Sequence, residues 1–319
     1  MDNGRRMMVF SGTHNSELSD GIAEQLGIEL GEVKITKFAN GEIYVRYQES
    51  VRGAHVFCVQ TICRPVNSAL MELLIMIDAA KRASARTITA VIPHYGYARQ
   101  DRKSAAREPI TAKLVADLLT VAGMDRAIMM DLHQGQIQGF FDQPVNHLTA
   151  LPILAEYVLG LDLGDIAVVS PDVGRVKANK RFADMVGGSL AILHKERPDH
   201  NEVEVTDLIG EVDGKDCVVL DDMIDTAGSV ATGARVLKDR GASSVYVCAT
   251  HGVFSPPAFE RIAEAPIEEV IVTNSIPLPD EQKHGKIRQL SVAPLFGRAI
   301  RNVYEDESVS ELFDPNFEL

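Results

Sequence analysis

The chain has 319 residues, of which 45% are hydrophobic and 24% charged, and this composition is typical of a soluble globular protein large enough for two domains. Its 45 acidic and 32 basic residues give a formal net charge of −13, which argues against a broad surface for nucleic acid or anionic membrane. No apolar run is long enough for a signal peptide or a membrane span, and four cysteines without a CxxC pair favour a reducing cytoplasm.

Strand-like and helix-like segments alternate along the chain, which predicts an α/β fold of mainly parallel sheets flanked by helices. In the first half, we expect strands at 56–59, 87–92 and 127–130 and helices around 70–77 and 110–121. In the second half, we expect strands at 166–169, 217–220, 245–249 and 270–273 and helices around 176–185 and 229–239. The helices are recognised by apolar residues spaced i, i+3, i+4 and i+7.

Two parts of the chain repeat each other. Residues 51–61 align with 212–222, and residues 85–94 align with 242–251, each pair separated by a helical segment. We interpret the repeat as the duplication of one α/β domain, and a chance likeness of two strand–helix–strand units is the alternative. The boundary between the copies is expected near residues 146–152, a stretch without a low-complexity linker, so that a site can lie in the cleft between them.

An acidic loop follows the strand 217–220 of the second copy. Asp221 and Asp222 can accept hydrogen bonds from vicinal hydroxyls, and residues 225–229 (Asp-Thr-Ala-Gly-Ser) offer hydroxyls and backbone N–H groups at a helix N-terminus, where anions bind. The pattern resembles the ribose-5-phosphate loop of the phosphoribosyltransferase superfamily. An Asp-rich turn that only caps its helix is the alternative. The first copy has Gln-Thr-Ile-Cys-Arg-Pro at residues 60–65, so it is expected to have another role, such as holding a second substrate.

Two cationic segments stand out in this acidic chain. Residues 93–103 follow a predicted strand and carry three cations and two aromatic rings at the edge where open α/β sheets bind ligands. They predict a phosphate or nucleotide contact, and a solvated basic loop is the alternative. Lys195 and Arg197 lie in the polar stretch 194–204, which is predicted to be a mobile loop able to close over a phosphoryl-transfer site. Exposed charges without a function are the alternative there.

Two further acidic positions are candidates for a metal site. Asp131 and His133 project to the same side of an extended strand end, which suits Mg²⁺ held by one direct or water-mediated ligand. A structural histidine is the alternative. Asp172 precedes a basic helix that begins near Arg175, an arrangement that suits a metal–diphosphate or, alternatively, an Asp N-cap before a solvated basic face.

Taken in this order, the segments resemble the ribose-phosphate pyrophosphokinases, or phosphoribosyl pyrophosphate synthetases. The resemblance runs from residues 10–13 and 38–42 to residues 307–310, and segments 93–103, 131–141 and 221–229 are its most specific parts. This family transfers the β,γ-diphosphoryl group of ATP to the anomeric hydroxyl of ribose 5-phosphate, giving phosphoribosyl pyrophosphate and AMP for nucleotide biosynthesis. The resemblance implies that reaction and two phosphoribosyltransferase-like domains, each a mainly parallel sheet flanked by helices.

The resemblance also implies a role for particular residues. The implied ATP site consists of Phe38, Asn40, Glu42, Arg99 and Gln100, with His133 and Asp172 holding Mg²⁺. The implied ribose 5-phosphate site consists of Asp221, Asp222, Asp225, Thr226, Gly228 and Ser229, with Lys195 and Arg197 acting on the transferring phosphate. The implied regulatory anion site, for inorganic phosphate and ADP, consists of Ser50, Arg52, Gln138, Ser308 and Ser310. An N-cap of a terminal helix is the alternative for Ser308 and Ser310.

The resemblance also implies domain limits and an oligomeric state, and this chain differs from the family's usual residues at a few positions. The ATP side is predicted at 1–148, with a tail 304–319 returning to it, and the ribose 5-phosphate side at 149–303. The family implies a homo-oligomer, often a hexamer, in which a neighbouring subunit completes the adenine site. Ala39 removes a hydroxyl that the family usually has, Arg175 stands where a second glycine is usual, and residues 146–147 differ from some regulated members.

Two other functions stay open at this point. A phosphoribosyltransferase that consumes phosphoribosyl pyrophosphate would share residues 221–229 but would need neither the segment 99–103 nor a duplicated domain. A non-catalytic regulatory relative would assemble with active subunits, and Arg175 leaves room for it although the other site residues are present.

Overall fold

A computed structural model describes residues 6–199, 202–282 and 285–313, with the backbone alone at 194–199, 202–206, 311 and 313. The chain forms two sheets of mainly parallel strands covered by helices, which confirms the predicted fold class, and one separate hairpin. Within the described ranges, no helix combines the length and the apolar character needed to cross a membrane.

The first sheet is parallel throughout. In spatial order, its strands are β1 (Met7–Ser11), β4 (His55–Val59), β5 (Thr87–Ile92), β6 (Arg126–Met130) and β7 (Val145–Leu148). The hairpin consists of β2 (Val33–Lys37) and β3 (Ile43–Tyr47), and the helices that lie along the chain between the strands of the first sheet are α1 (Ser16–Leu26), α2 (Val66–Arg82) and α3 (Thr111–Ala122).

The second sheet has seven strands, of which only the edge strand β10 is antiparallel to its neighbour. In spatial order, they are β10 (Glu202–Ile209), β9 (Ser189–Asp199), β8 (Ile166–Ser170), β11 (Asp216–Ile224), β12 (Ser244–Gly252), β13 (Glu269–Thr273) and β14 (Ile287–Leu290). The helices that follow the first sheet along the chain are α4 (Leu151–Leu159), α5 (Val176–Val186), α6 (Gly228–Asp239), α7 (Ala258–Glu264) and α8 (Ala293–Glu305).

The two halves repeat one order of elements. Each begins with a strand and a helix, continues with two hairpin strands, and ends with strand–helix–strand–helix–strand–strand–helix. The strands between the helices are buried on both faces, as in β5, where five of six residues are buried, because helices cover both sides of a parallel sheet. This correspondence supports the interpretation of the sequence repeat as a duplication.

The last helix of each half crosses to the other half. Helix α8 packs against α1, and its Phe296 and Ile300 lie in one apolar cluster with Val9 and Phe57 of the first sheet. Helix α4 likewise places Leu154 among side chains of the second sheet. The return of the chain to the first half therefore includes the whole of α8, whereas the proposed domain limits, with a tail from residue 304, stay a prediction.

The segment 194–204 is not the loop that the sequence analysis expected. Residues 194–199 belong to β9 and residues 202–204 to β10, which pair as antiparallel strands, while residues 200–201 lie outside the described part. The polar composition suggested a loop, but Glu-Val-Glu-Val-Thr at 202–206 alternates polar and apolar residues, which is typical of a strand. Strand β10 forms backbone hydrogen bonds with β9, and β9 pairs with β8, so the two strands extend the second sheet at this edge.

The packing of α8 on the first sheet can be tested with Phe296→Ala. The Phe296 ring is fully buried, so its removal should leave a cavity and lower the free energy of unfolding by about 3–5 kcal/mol. The same substitution at Phe38, which is 56% exposed, should change it by less than about 0.5 kcal/mol. Urea unfolding followed by circular dichroism measures both, and equal effects would contradict the assigned packing.

Candidate active site

The carboxyl ends of the parallel strands of the two sheets face each other across a cleft. A cavity of about 630 Å³ lies there, lined by residues 62–64 and 94–100 from the first half and by residues 252–256 and 276–277 from the second. Segments 62–64 and 94–100 follow β4 and β5, and residues 252–256 follow β12, so the cavity lies at the edge where open α/β sheets bind ligands.

Asp221 and Asp222 lie near the end of β11, which runs between β8 and β12. Asp222 is only 2% exposed, and its Oδ2 is 2.7 Å from Nδ1 of His133 in the first half. Arg175 approaches both carboxylates, with Nη1 3.3 Å from Oδ1 of Asp222 and Nε 3.6 Å from Oδ1 of Asp221. The structure thus brings the predicted sugar carboxylates together with the predicted metal ligand His133.

These contacts shift the pKa values of the two carboxylates in opposite directions. Burial raises the pKa of Asp222, but the hydrogen bond with His133 and the charge of Arg175 outweigh burial and hold this pKa well below its usual value. Burial and the charge of Asp222 raise the pKa of Asp221 to about 8. The hydrogen bond to Asp222 raises the pKa of His133 against the effect of burial. The two neighbouring carboxylates are therefore inequivalent, because the ionised form of Asp222 is favoured and that of Asp221 is disfavoured.

A second contact between the halves joins the cationic segment to the acidic loop. The Nη2 of Arg99 donates to Oδ2 of Asp225 at 2.6 Å. Burial raises the pKa of Asp225, but hydrogen bonds with Ser255 and Arg99 outweigh it and lower this pKa. Gln100, the neighbour of Arg99, accepts a hydrogen bond from the Thr111 hydroxyl at 2.6 Å.

The loop 225–229 turns directly into helix α6. Ala227 has a positive φ of 57°, and the helix begins at Gly228, so the backbone N–H groups of Gly228 and Ser229 belong to its first turn. Arg261 of α7 lies behind the loop and donates from Nη1 to the carbonyl oxygen of Thr226 at 2.9 Å. Arg261 was not among the predicted site residues, because nothing in its local sequence links it to the loop. The loop combines free N–H groups with a nearby cation, as an anion site requires.

At the corresponding strand end of the first half, buried side chains form a hydrogen-bonded cluster. Glu72 is buried and accepts hydrogen bonds from the backbone N–H of Thr13 at 2.6 Å and from Nε2 of Gln60 at 2.7 Å. A Cβ atom at Gly12 would lie 2.3 Å from Oε1 of Gln60, so this glycine is needed for the close approach. Gln60 and Asp221 are equivalent in the repeat, and Gln60 lies in this buried cluster, whereas residues 62–64 that follow it line the cavity.

The other two acidic candidates have structural contacts. Oδ1 of Asp172 accepts hydrogen bonds from the backbone N–H groups of Gly174 and Arg175, so the N-cap alternative describes an interaction that is present. Oδ2 of Asp131 accepts from the N–H of Ala150 at 2.8 Å and from the hydroxyl of Thr250 at 2.6 Å. Asp131 therefore ties the start of α4 and the end of β12 to the first sheet.

Two equivalent histidines meet between the halves. The rings of His94 and His251 have centroids 4.6 Å apart, and both side chains are buried. His251 forms hydrogen bonds with Oγ of Ser275 at 2.9 Å and with the carbonyl oxygen of Asp131 at 3.2 Å. Burial lowers the pKa of both histidines, and the charge that His251 would carry lowers that of His94 further.

The predicted adenine residues form two separate groups in one chain. Phe38, Asn40 and Glu42 lie at the tip of the hairpin β2–β3, where Oδ1 of Asn40 accepts from the N–H of Glu42 at 3.2 Å. Phe38 is 56% exposed and contacts only the ring of Tyr44 among the described aromatic residues. Within the described ranges, no hydrogen bond, ion pair or ring contact joins this tip to Arg99.

The remaining candidates are dispersed. Lys195 and Arg197 lie on β9, and their side chains fall outside the described part of the structure. Oγ of Ser308 accepts from the N–H of Ser310 at the start of the 3₁₀ helix Ser310–Phe313, so the capping alternative is again an interaction that is present. The last three predicted effector residues are Ser50 and Arg52, which are exposed before β4, and Gln138, which contacts His147 on β7.

Among the described residues, no group of three or more His, Cys, Asp or Glu side chains could hold a metal ion. Magnesium that is bound with phosphates commonly uses one or two protein ligands and takes the others from the substrate and water. The imidazole of His133 and the exposed carboxylate of Asp172 would provide two such protein ligands.

Models of known protein families match both parts of the chain. Residues 7–123 match the N-terminal domain of ribose phosphate pyrophosphokinase. Residues 200–314 match the phosphoribosyl synthetase-associated domain.

Whole-chain comparisons agree with these matches. A ribose-phosphate pyrophosphokinase from Caldanaerobacter subterraneus subsp. tengcongensis is 55% identical over 96% of this chain and 98% of its own length. Another, from Nostoc sp., is 53% identical over 97% of this chain and 94% of its own. The crystal structure of phosphoribosylpyrophosphate synthetase from Mycobacterium smegmatis is similar with a TM-score of 0.89 at 46% identity, covering 94% of this chain and 99% of that one.

The buried histidine pair predicts how stability depends on pH. Burial lowers the pKa of His94 and His251 in the folded protein, whereas in the unfolded chain both bind protons below about pH 6.5. Because the unfolded state then binds more protons, this pair contributes a fall in the free energy of unfolding as the pH is lowered below about 6.5, whereas the raised pKa values of Asp221 and His133 act in the opposite direction. Each histidine adds up to about 1.4 kcal/mol per pH unit.

Urea unfolding between pH 5 and 8 measures this slope. His94→Asn should reduce the contribution of the pair to the slope, while Val91→Ala, a change at a buried apolar position of β5, should lower stability and keep the slope. A slope in His94→Asn equal to that of the wild type would contradict the assignment.

Proposed function

The chain belongs to the ribose-phosphate pyrophosphokinase family, and we therefore propose that it transfers the β,γ-diphosphoryl group of ATP to the anomeric hydroxyl of ribose 5-phosphate. The products are 5-phosphoribosyl 1-pyrophosphate and AMP. The observation that carries the proposal is the contact between the two halves at Asp222, whose carboxylate in the second half lies 2.7 Å from His133 of the first.

The second half supplies the sugar site. The N–H groups and hydroxyls of Thr226, Gly228 and Ser229 bind the 5-phosphate at the start of α6, with Asp225 in the same turn. The carboxylate of Asp222 and the neighbouring Asp221 accept hydrogen bonds from the ribose hydroxyls. The sugar is thus held at two ends, which fixes its anomeric hydroxyl against the cleft.

The first half supplies the nucleotide side. Arg99 is half exposed at the cavity and lies against the adenine, next to Gln100. The exposed hairpin tip of Phe38, Asn40 and Glu42 does not reach this place in its own chain, which supports a homo-oligomer in which a second copy completes the adenine site. A hexamer is the proposed state.

Mg²⁺ is the proposed cofactor, with His133 and Asp172 as protein donors. When bound, it supplies positive charge to the phosphate oxygens of ATP and to the transferred diphosphate. Lys195 and Arg197 add cations where negative charge develops on the leaving AMP. The reaction itself is displacement at the β-phosphorus by the anomeric oxygen, so that positioning and charge stabilisation provide most of the catalysis.

Regulation and location complete the proposal. Inorganic phosphate and ADP bind as effectors at a site that includes Ser50, Arg52, Gln138, Ser308 and Ser310. The exposed positions of Ser50 and Arg52 and of the 308–310 segment are compatible with a site at a subunit contact. All four cysteines are free and buried, which supports a cytoplasmic location.

Product analysis tests the function. The purified protein is mixed with MgATP and ribose 5-phosphate, with and without inorganic phosphate. Equimolar AMP and phosphoribosyl pyrophosphate are expected, and a requirement for phosphate would support the effector site. Ribose 5-phosphate binding without AMP formation in either mixture would favour a regulatory relative or a phosphoribosyltransferase instead.

Asp222→Asn tests the sugar site with little change of shape. Loss of a charge-assisted hydrogen bond, worth about 1.5–3 kcal/mol, should raise the KM for ribose 5-phosphate roughly 10- to 100-fold and leave the KM for ATP nearly unchanged. Asp216→Asn, the same change at the other end of β11, is the control. Equal KM values for the sugar in wild type and Asp222→Asn would refute this role.

Lys195→Ala tests the cationic segment. Loss of one preorganised cation should lower kcat roughly 10²- to 10³-fold while ribose 5-phosphate still binds. Lys113→Ala, on the exposed face of α3, is the control for loss of a lysine. An unchanged kcat in Lys195→Ala would eliminate the proposed catalytic role.

A further inference from the structure

The loop 225–229 is supported by a second segment of the chain, residues 253–261. Two backbone N–H groups of this segment donate to the carbonyl oxygen of Ile224, directly before the loop, at 2.9 and 3.1 Å. The side chain of Ser255 forms a hydrogen bond with the carboxylate of Asp225. The loop therefore rests on this segment at its first residues, and its conformation depends on groups outside its own sequence.

Arg261 makes the contact that acts on the backbone within the loop. Its Nη1 donates to the carbonyl oxygen of Thr226 at 2.9 Å. The peptide bond between Thr226 and Ala227 is trans, and in a planar trans peptide the C=O and the N–H point in opposite directions. The guanidinium on one side of the loop therefore directs the N–H of Ala227 to the other side.

This peptide depends on an external contact because Ala227 has an unusual backbone conformation. Its φ of 57° and ψ of 8° lie in the left-handed region, which residues other than glycine rarely adopt. Helix α6 begins at the next residue, Gly228, where a Cβ atom would lie 3.2 Å from Nη1 of Arg261. The guanidinium thus lies beside the first turn of α6, in which the N–H groups have no partner within the helix.

Packing of helix α7 fixes the position of Arg261. The neighbouring Ile262 is buried in one apolar cluster with Val230 of α6. Ala258, at the start of α7, is buried in the same cluster. Helix α7 is therefore packed on the helix that follows the loop, and Arg261, on the exposed side of α7, reaches the loop from there.

The guanidinium also brings a positive charge to the loop. A sugar phosphate carries up to two negative charges, and Asp225 is an acidic residue of the same turn, so that like charges would oppose binding without a cation nearby. Asp225 pairs with Arg99 of the first half at 2.6 Å, and Arg261 adds a cation from the second half.

We propose that Arg261 is a positioning residue for the 5-phosphate of the sugar: it holds the peptide between Thr226 and Ala227 with its N–H directed to the phosphate, and it offsets the charge of Asp225. The inference rests on the proposed function, in which the loop 225–229 binds this phosphate. Arg261 acts through the backbone of the loop and takes no part in the transfer. Its loss should therefore weaken sugar binding and spare both the nucleotide side and the chemical step.

Steady-state kinetics of the full-length protein at saturating MgATP test this role. Arg261→Met removes the charge and the donors from a side chain of similar length, and should raise the KM for ribose 5-phosphate roughly 10-fold because a hydrogen bond from a charged donor is lost. The KM for ATP and kcat should stay within about twofold of the wild type. The melting temperature should not change, since the residue is exposed. Arg261→Lys, which keeps a charged donor, should retain most of the affinity for the sugar.

Arg235→Met is the matched control, because Arg235 is an exposed arginine of α6 about two turns beyond the loop, and it should leave all KM values unchanged. A wild-type KM for ribose 5-phosphate in Arg261→Met, or a loss of kcat and melting temperature in place of a change in that KM, would overturn the positioning role while leaving the proposed function intact. No turnover by the wild type would overturn the proposed function itself, and the inference with it.

Discussion

The structure depends on hydrogen bonds between buried polar groups of one half and buried polar groups of the other. Asn15 and Thr61 of the first half donate hydrogen bonds to the carbonyl oxygen of Ser275, at 3.4 and 3.0 Å. Thr250 of the second half donates to the carboxylate of Asp131 in the first. Because a buried donor or acceptor without a partner costs about 1–3 kcal/mol, the halves satisfy each other only when the strand ends meet. That requirement brings His133 to Asp222 and creates the cleft.

The same constraint explains how the duplicated halves could diverge. Equivalent positions of the two halves have different surroundings. Gln60 is part of a buried hydrogen-bonded cluster with Glu72, whereas Asp221 is partly exposed beside Arg175. The first half has no acidic pair at this position, and its strand ends contribute His133 and Arg99 across the cleft. A symmetric fold thus provides an asymmetric site.

Much of the fold could be predicted from hydrophobic pattern alone. The strand 87–92 was predicted at its observed limits, and the helix expected near 229–239 is α6, because continuous apolar runs and one-sided helices report burial directly. The prediction was wrong at 194–204, since polar composition hid the alternation that forms β10. The hairpin β2–β3 was also missed, although Val33–Lys37 and Ile43–Tyr47 alternate half-buried apolar residues with exposed ones, which is the pattern of a half-exposed strand.

The site was predictable in its parts but not in its contacts. The acidic loop and the histidine at 133 could be identified from residue type and position after a strand, but the bond between Asp222 and His133 joins residues 89 positions apart. The side-chain direction of Arg175 and the support that Arg261 gives to the loop depend on tertiary packing. Local sequence carries no information on either.

The crossing of α4 and α8 bears on how such a chain could have arisen. A single ancestral unit of this kind would have lacked a helix over one face of its sheet, unless a second copy lent its own. Two copies that exchange their terminal helices in this way have the geometry of a domain-swapped dimer. Gene fusion of two such copies would have made the swap permanent, and a dimer interface would have become the interior of one polypeptide.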